Sequence, residues 1–461
     1  MVDYLYRSAC WQAEAIRRGE LSSQELVRSS LERIEAVNPR LNAVVQVTAD
    51  HAMEEARQAD EMRKRGKLRG PLHGVPMTIK DSLDTAGVIT TWGTTGQRRR
   101  IPIEDATVVS RLKEAGAILL GKTNTPELTL SFATENRVYG RTNNPHDIDR
   151  SPGGSSGGAA AIVASGGSSL DIGSDTGGSI RLPAHFCGVS GIRPTSGRVP
   201  RTGHAIPPGG LLDTLTQLGP LARYVEDLEL VLSIIAGPDG KDSWIQPMPL
   251  EGMEGVRLAG RRAAFFVDNG FSLPSADVIQ AVLEVASLLS DAGVAVEECR
   301  PPAAEESFKV FNGLLTSWAF PWARRLLARA GTPASEVCIE GLNEVRVVRW
   351  DDLIGYIDRW ESLRTQMLDF FASYDLILSP VCAFPAYLHG THSDDDKGFS
   401  YTTAISLTGW PVVVVPVGRT QEDLPVGVQI IARPWREEMA LAAASQVEGA
   451  IGGWRRPPLW A

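Results

Sequence analysis

The residues best suited to covalent chemistry lie in two glycine- and serine-rich runs. These are Ser151-Pro-Gly-Gly-Ser-Ser-Gly-Gly-Ala-Ala and Asp171-Ile-Gly-Ser-Asp-Thr-Gly-Gly-Ser-Ile-Arg. The second reads as strand, glycine turn and helix start. That places Ser179 at a helix N-terminus, where unpaired backbone N–H groups point outward. Such donors stabilise negative charge developing on a carbonyl oxygen. Gly177 and Gly178 let the main chain approach a substrate with no Cβ in the way. This is the geometry of acyl transfer with a serine nucleophile, and a serine hydroxyl needs a base. None of the seven histidines shows a partner pattern, and His185, six residues after Ser179, is poorly placed to reach back. A lysine serves as base only when burial or a nearby positive field lowers its pKa. Lys80 closes the apolar run Val75-Pro-Met-Thr-Ile-Lys, which offers that burial.

These groups need a scaffold that alternates strands and helices. Residues 21–66 read as helical, opened by the capping-box pattern Ser22-Ser23-Gln24-Glu25 and interrupted by a short strand at 41–47. Gly70-Pro71 breaks the chain. From 72 to 225, apolar runs at 75–79, 117–120 and 170–173 read as buried strands, with helices at 107–115 and 157–165 between them. Strands alternating with helices give an α/β sheet with covered faces. Residues 226–375 read as mostly helical, with Trp318, Phe320, Trp322, Trp350 and Trp360 in one stretch. These aromatics have two readings, helix packing or the lining of an acyl pocket. Further strands are expected at 375–380, 411–416 and 426–432, then a closing helix from Glu437.

Several long motifs, in order, resemble the amidase-signature hydrolases. They are His73-Gly-Val-Pro-Met-Thr-Ile-Lys-Asp, Gly121-Lys-Thr-Asn, Pro152-Gly-Gly-Ser-Ser-Gly-Gly, Gly173-Ser-Asp-Thr-Gly-Gly-Ser-Ile-Arg, Phe186-Cys-Gly-Val-Ser-Gly-Ile-Arg-Pro-Thr and Leu407-Thr-Gly-Trp-Pro. The resemblance implies an α/β fold with a large central mixed sheet covered by helices on both faces. It implies one domain over 1–461: a helical segment to 70, a signature core at 72–225, a variable pocket region at 226–375 and closing strands and helix at 376–461. It also implies a Ser–cis-Ser–Lys triad: Ser179 as nucleophile, Ser155 (preceded by a cis peptide) as relay, and Lys80 as base. The oxyanion donors would be the backbone N–H groups of Thr176, Gly177, Gly178 and Ser179. Asp175 and Arg181 would fix the nucleophile loop, and Ser131 would border the site. No metal or organic cofactor is implied.

Two further motifs point elsewhere. Gly116-Ala-Ile-Leu-Leu-Gly-Lys-Thr satisfies the phosphate-loop string, but its middle residues read as a buried strand and not as a backbone cradle. Gly153-Gly-Ser-Ser-Gly satisfies a nucleophile-elbow string, with Asp375 and His389 or His392 in the required order, but no strand precedes it.

Composition narrows the setting. The 461 residues include 46 Lys plus Arg against 55 Asp plus Glu, a net charge of −9. This offers no electrostatic reason to bind nucleic acid or anionic lipid. Five cysteines, at 10, 187, 299, 338 and 382, show no metal or redox spacing and fit a reducing, cytoplasmic compartment. The leading expectation is a free-standing hydrolase of small or aryl amides, with carbamates (urethanes) included. Its partners would be the small-molecule substrate and at most a second copy in a homodimer, with no nucleic acid and no membrane. The alternative is the glutaminase (A-type) subunit of a tRNA-dependent amidotransferase. Those subunits carry an acid, which recognises the glutamine amino group, shortly before the stretch matched here by Ser406-Leu-Thr-Gly. That position falls on Phe399, with Asp394 to Asp396 nearby. Specificity is expected from the loop at 202–213, with its Pro207-Pro-Gly-Gly, and from helices in 307–350.

Overall fold

The computed structural model describes residues 3–342, 349–391 and 395–460. Its strands are β1 (Val44–Val47), β2 (Pro76–Lys80), β3 (Ile118–Thr123), β4 (Glu135–Asn136), β5 (Gly140–Arg141), β6 (Leu170–Asp175), β7 (Ser190–Arg193), β8 (Gln217–Ala222), β9 (Arg262–Phe265), β10 (Ala295–Glu298), β11 (Leu376–Pro380), β12 (Val412–Arg419) and β13 (Pro425–Ala432). Eleven of them form one sheet in the order β1-β3-β2-β6-β8-β7-β12-β13-β11-β9-β10, while β4 and β5 make a separate ribbon. The sheet is mixed: β2 runs parallel to β3 and β6, and β9 parallel to β10 and β11. The joins through β8, β7, β12 and β13 are antiparallel. Its central strands are buried on both faces, which is why they read as continuous apolar runs.

Helices cover both faces. On one side α1 (Ala9–Arg18), α4 (Thr107–Glu114), α7 (Val225–Ile235), α8 (Ala276–Asp291) and α13 (Glu437–Ile451) share an apolar cluster with the sheet. On the other side lie α2 (Ser23–Leu41), α3 (Ala49–Lys64), α5 (Gly157–Ala164) and α6 (Arg181–Cys187). Every residue of α5 is buried, as expected of a helix that is apolar all round. A Cβ on Gly158 would fall 2.5 Å from the Asn124 nitrogen, so glycine allows α5 to lie against the backbone beneath it. A helical cap of α9 (Ala304–Leu314), a π turn at Leu315–Ala319, α10 (Phe320–Ala330), α11 (Trp350–Phe371) and α12 (Ser400–Thr408) stands over one end. Val310, Phe311, Leu314, Leu363 and Leu407 knit much of it together.

Four strands of the sheet carry weak sequence signals. β7 and β8 contain Gly191, Gly219 and Pro220, β9 is alanine-rich, and β10 is an exposed edge. Such residues lower strand propensity, and tertiary pairing overrides it. β9 and β10 fall in the stretch read as mostly helical, yet they extend the same sheet. Among the described residues no helix is long and apolar enough to cross a membrane.

Candidate active site

Strand β2 is buried along its whole length and carries Lys80 at its last position, fully inaccessible to solvent. The side-chain nitrogen Nζ lies 2.6 Å from Ser155 Oγ, 2.9 Å from Ser156 Oγ and 3.0 Å from Ser174 Oγ. One of these bonds has a fixed direction. Ser156 Oγ donates to the Ser174 carbonyl at 3.3 Å, so towards Lys80 it accepts. A neutral amine has two N–H donors and one lone pair. With Ser156 accepting one N–H, the second N–H and the lone pair fall to Ser155 and Ser174, so the lone pair is within reach of the Ser155 hydroxyl. Burial drives the Lys80 amine well below its ordinary value, opposed by Asp171 and Asp175. Gly173 makes room for this cluster, since a Cβ there would lie 2.8 Å from Ser156 Oγ. The Gly154–Ser155 peptide is cis.

Ser179 sits in the turn between β6 and α6, 5% exposed and facing a cavity. Its carbonyl accepts from the Ser156 N–H at 3.1 Å, which ties the two serine segments together. Among the described residues the Ser179 hydroxyl makes no hydrogen bond to Ser155. One expectation about this turn needs correction. Ser179 stands in the turn that leads into α6, where the Leu182 N–H donates to the Gly178 carbonyl at 2.7 Å and Pro183 has no N–H to offer Ser179. The Gly178 N–H, however, is not available to an oxyanion, because it donates to Asp175 Oδ1 at 2.9 Å. The N–H groups of Thr176, Gly177 and Ser179 have no such side-chain acceptor among the described residues. A Cβ on Gly177 would stand 2.6 Å from Phe311 Cζ, so that backbone must stay bare.

Asp175 organises the turn. Besides Gly178, it accepts from the Ile180 N–H at 3.1 Å and from Arg181 at 2.9 and 3.0 Å, with Arg193 Nε 3.6 Å away. Burial pushes its carboxyl up, but the Arg181 charge and hydrogen bonds, with Arg193 behind them, outweigh this and hold it at about 2. Arg181 continues to the Thr402 carbonyl and Ser406 Oγ on α12, so the turn is anchored to the helical cap.

The cavity in front of Ser179 measures about 340 Å³. Ser131 and Phe132 form one wall, Phe308, Phe311 and Leu315 come from the cap, and Phe320, Phe399, Glu340 and Asp396 complete it. Ser131 lines the cavity, with its Oγ accepting from the Ala133 N–H at 3.1 Å. The aromatic stretch divides. Phe320 lines the cavity, whereas Trp360 is core, its Nε1 donating to the Leu407 carbonyl at 2.8 Å. Trp350 is 71% exposed. Among the described residues, none from the loop at 202–213 lines the cavity. Asp213 is instead paired with buried Arg201, and Gly210 packs under Trp318. Within the span 307–350, the lining comes from Phe308 to Phe320 and from Glu340.

Sequence reading missed Ser156 and Ser174 as partners of Lys80, and the phenylalanines 308 and 311. The serines could have been found from their motifs, which place them next to Ser155 and Asp175. The phenylalanines had no signal, because α9 reads as any amphipathic helix. Cys187 is a buried thiol, and His73 is a turn residue bonded to the Arg69 N–H and the Ala59 carbonyl. His185 accepts from the Gly427 N–H at 2.8 Å and donates to the Phe384 carbonyl, away from Ser179. The elbow string lies in irregular backbone, and its Ser155 is committed to Lys80. Asp375 is engaged by Arg262, and His389 contacts it nowhere among the described residues. His392 and Asp394 lie outside the described residues. The phosphate-loop string is β3, with Lys122 buried against the Leu83 carbonyl. No cluster of metal-ligating residues occurs among the described residues.

Known proteins match this arrangement. The Amidase family model covers residues 25–441. The A-type subunit of glutamyl-tRNA(Gln) amidotransferase from Carboxydothermus hydrogenoformans is 35% identical, over 97% of this chain and 98% of its own. The protein of the same name from Syntrophobacter fumaroxidans is 37% identical over 94% of each. Among solved structures, 6-aminohexanoate cyclic dimer hydrolase superposes with a TM-score of 0.89 at 28% identity, covering both chains fully. A bacterial aryl acylamidase of the amidase-signature family gives 0.85 at 26%, over 96% of each. Fold and relatives define an enzyme of C(=O)–N bonds. The chain belongs to the amidase-signature family.

The comparisons also correct two expectations. The leading reading, a free-standing hydrolase of small or aryl amides or carbamates, gives way to the alternative. Relatives at 35 and 37% identity over nearly the whole chain are amidotransferase subunits. The partner expectation, small molecules and at most a second copy, falls with it, since those relatives are parts of assemblies named for a tRNA. Net charge speaks to direct electrostatic contact by a chain, not to membership of an assembly.

Proposed function

We propose that this chain is the glutaminase (A-type) subunit of a tRNA-dependent amidotransferase, releasing ammonia from the side-chain amide of glutamine. Neutral Lys80 takes a proton from Ser155 as Ser155 takes one from Ser179. Ser179 Oγ attacks the amide carbon, and the N–H groups of Gly177 and Ser179 receive the oxyanion. The proton returns along the same path to the departing nitrogen, so ammonia leaves and a glutamyl ester remains on Ser179. Water then cleaves the ester and glutamate departs.

The observation that carries this chemistry is the buried Lys80 amine with three serine hydroxyls within 3.0 Å. The full-length likeness to A-type subunits supports the substrate. Asp396, in the cavity wall three residues before Phe399, supplies an acid for the glutamine amino group. A partner protein would use the ammonia and hold the aminoacylated tRNA.

The test is ammonia release from glutamine, compared with hexanamide, an apolar amide of similar reach. Wild type is expected to prefer glutamine, Ser179→Ala and Lys80→Ala to release none, and Asp396→Asn to raise KM for glutamine alone. Preference for hexanamide would reject the substrate, and activity surviving in Ser179→Ala would reject the mechanism.

A further inference from the structure

Lys80 must become an ammonium in the middle of every turnover, although its side chain is fully buried. Something nearby must answer that charge. On β2, Thr78 and Lys80 share one face of the sheet. Thr78 pairs in register with Asp171 on β6, and Lys80 with Thr123 on β3. Asp171 therefore lies on the same face as Lys80, one step back along the neighbouring strand. Its Oδ2 accepts from Thr78 Oγ1 at 2.6 Å and Thr123 Oγ1 at 3.0 Å. Its Oδ1 is buried with no partner, although an orphaned buried oxygen is costly in a purely structural residue.

We propose that Asp171 is a positioning residue for Lys80, its carboxylate serving as the counter-charge for the ammonium that forms on Lys80 during acyl transfer. This rests on the reading of Lys80 as base. The other charged groups around Lys80 are already answered. Asp175 on β6 is paired with Arg181 of α6 and Arg193 of β7. Asp81, next on the chain, accepts from the Thr91 N–H and Oγ1, and it faces Lys122 of β3, so these opposite charges offset each other. His204, from the loop that follows β7, has Nδ1 accepting from the Ile206 N–H, and burial with the Lys80 charge keeps it neutral, at about 3. Burial raises the Asp171 carboxyl to about 7, against the pull of Thr78, Thr123, Lys122 and Lys80. The ionised Asp171 that would answer the ammonium is therefore lost as pH falls through about 7.

The test uses a fluorophosphonate probe on the purified chain, so it does not depend on the substrate. Ser179 Oγ bonds to phosphorus, fluoride leaves, and the serine proton passes through Ser155 to Lys80. The second-order rate constant is followed by intact mass from pH 5 to 9. Wild type is expected to label at Ser179 with an acid limb, and Lys80→Ala to be nearly inert. In Asp171→Asn, which keeps the threonine hydrogen bonds, the plateau should fall about tenfold and the limb move about one pH unit lower. In Thr78→Val the loss of a donor disfavours the ionised carboxyl, so the limb should move to higher pH with the plateau largely kept. Should Asp171→Asn fail to fold, Thr78→Val still decides. Normal labelling with the limb unmoved in the folded variants would overturn the role of Asp171. No labelling of wild type at Ser179, or wild-type rates in Lys80→Ala, would overturn the base assignment and this inference with it.

Discussion

At the scale of single residues, the site depends on one amine kept neutral and one peptide kept bare. General-base help is worth about 10² to 10⁴ in rate, so Lys80→Met should lower kcat/KM by at least the lower of these, with KM little changed. Because burial holds Lys80 well below its ordinary value, the base form should persist through neutral pH. The rate should then show no rising limb near pH 10, where an ordinary lysine titrates, and a kcat/KM profile from pH 5 to 10 checks this. Gly177 tests the bare peptide. Its Cβ would meet Phe311, so Gly177→Ala should cost about a hundredfold, in the range of a lost oxyanion donor. If the loss is steric, Gly177→Ala with Phe311→Leu should recover part of it in the same assay. No recovery would put the damage in the N–H direction itself.

The nucleophile turn belongs to the scale of elements. It is a non-repeating stretch between β6 and α6, and Asp175 holds it by accepting from its own backbone while facing two arginines. Removing one partner of a buried ion pair strands the other charge, at a cost of about 3–5 kcal/mol. Arg181→Met should therefore lower Tm strongly and abolish activity, since it also releases the turn from α12. Asp175→Asn keeps the shape and loses the charge, so it should be milder in Tm yet still slow. Thermal unfolding and activity measured on the same preparations separate the two effects. Much of this was legible in the sequence: Asp175 and Arg181 flank the serine, and both glycines announce a turn. The Gly178 amide was not legible, because its acceptor depends on how the turn closes.

For the whole molecule, burial sets the response to acid. His185 has its Nδ1 accepting from Gly427 N–H and its Nε2 donating to Phe384. A second proton would oppose two N–H groups, and burial holds the imidazole at about 4. The unfolded chain binds that proton first, so this group removes stability as pH falls from about 6.5 to about 4 and changes little beyond. Asp227 acts in the opposite sense. Burial raises it to about 6, so the folded state binds its proton first and gains stability as pH falls through the same window. His185→Gln should therefore lower Tm at neutral pH while flattening its decline between pH 6.5 and 4. An unchanged slope in thermal unfolding scans would show that His185 stays neutral for another reason.

What the sequence determined by itself is what is local. Apolar runs of four to seven residues set the central strands, glycine spacing set the turns, and ordered motifs brought Lys80, Ser155 and Ser179 forward as one set. The helix periodicity and capping box of α2 were equally plain. Tertiary structure decided the rest, for reasons of distance along the chain. β7, β8, β9 and β10 exist because neighbouring strands satisfy their backbone groups, not because their residues favour extension. Phe308 and Phe311 reach the cavity because α9 is carried over the sheet end by the cap. Asp171 looked like one more strand residue until the register of β2, β3 and β6 set it on the face of Lys80. A carboxylate two strand positions from a lysine becomes chemistry only when both are sealed from water, and sealing is a property of the packed molecule.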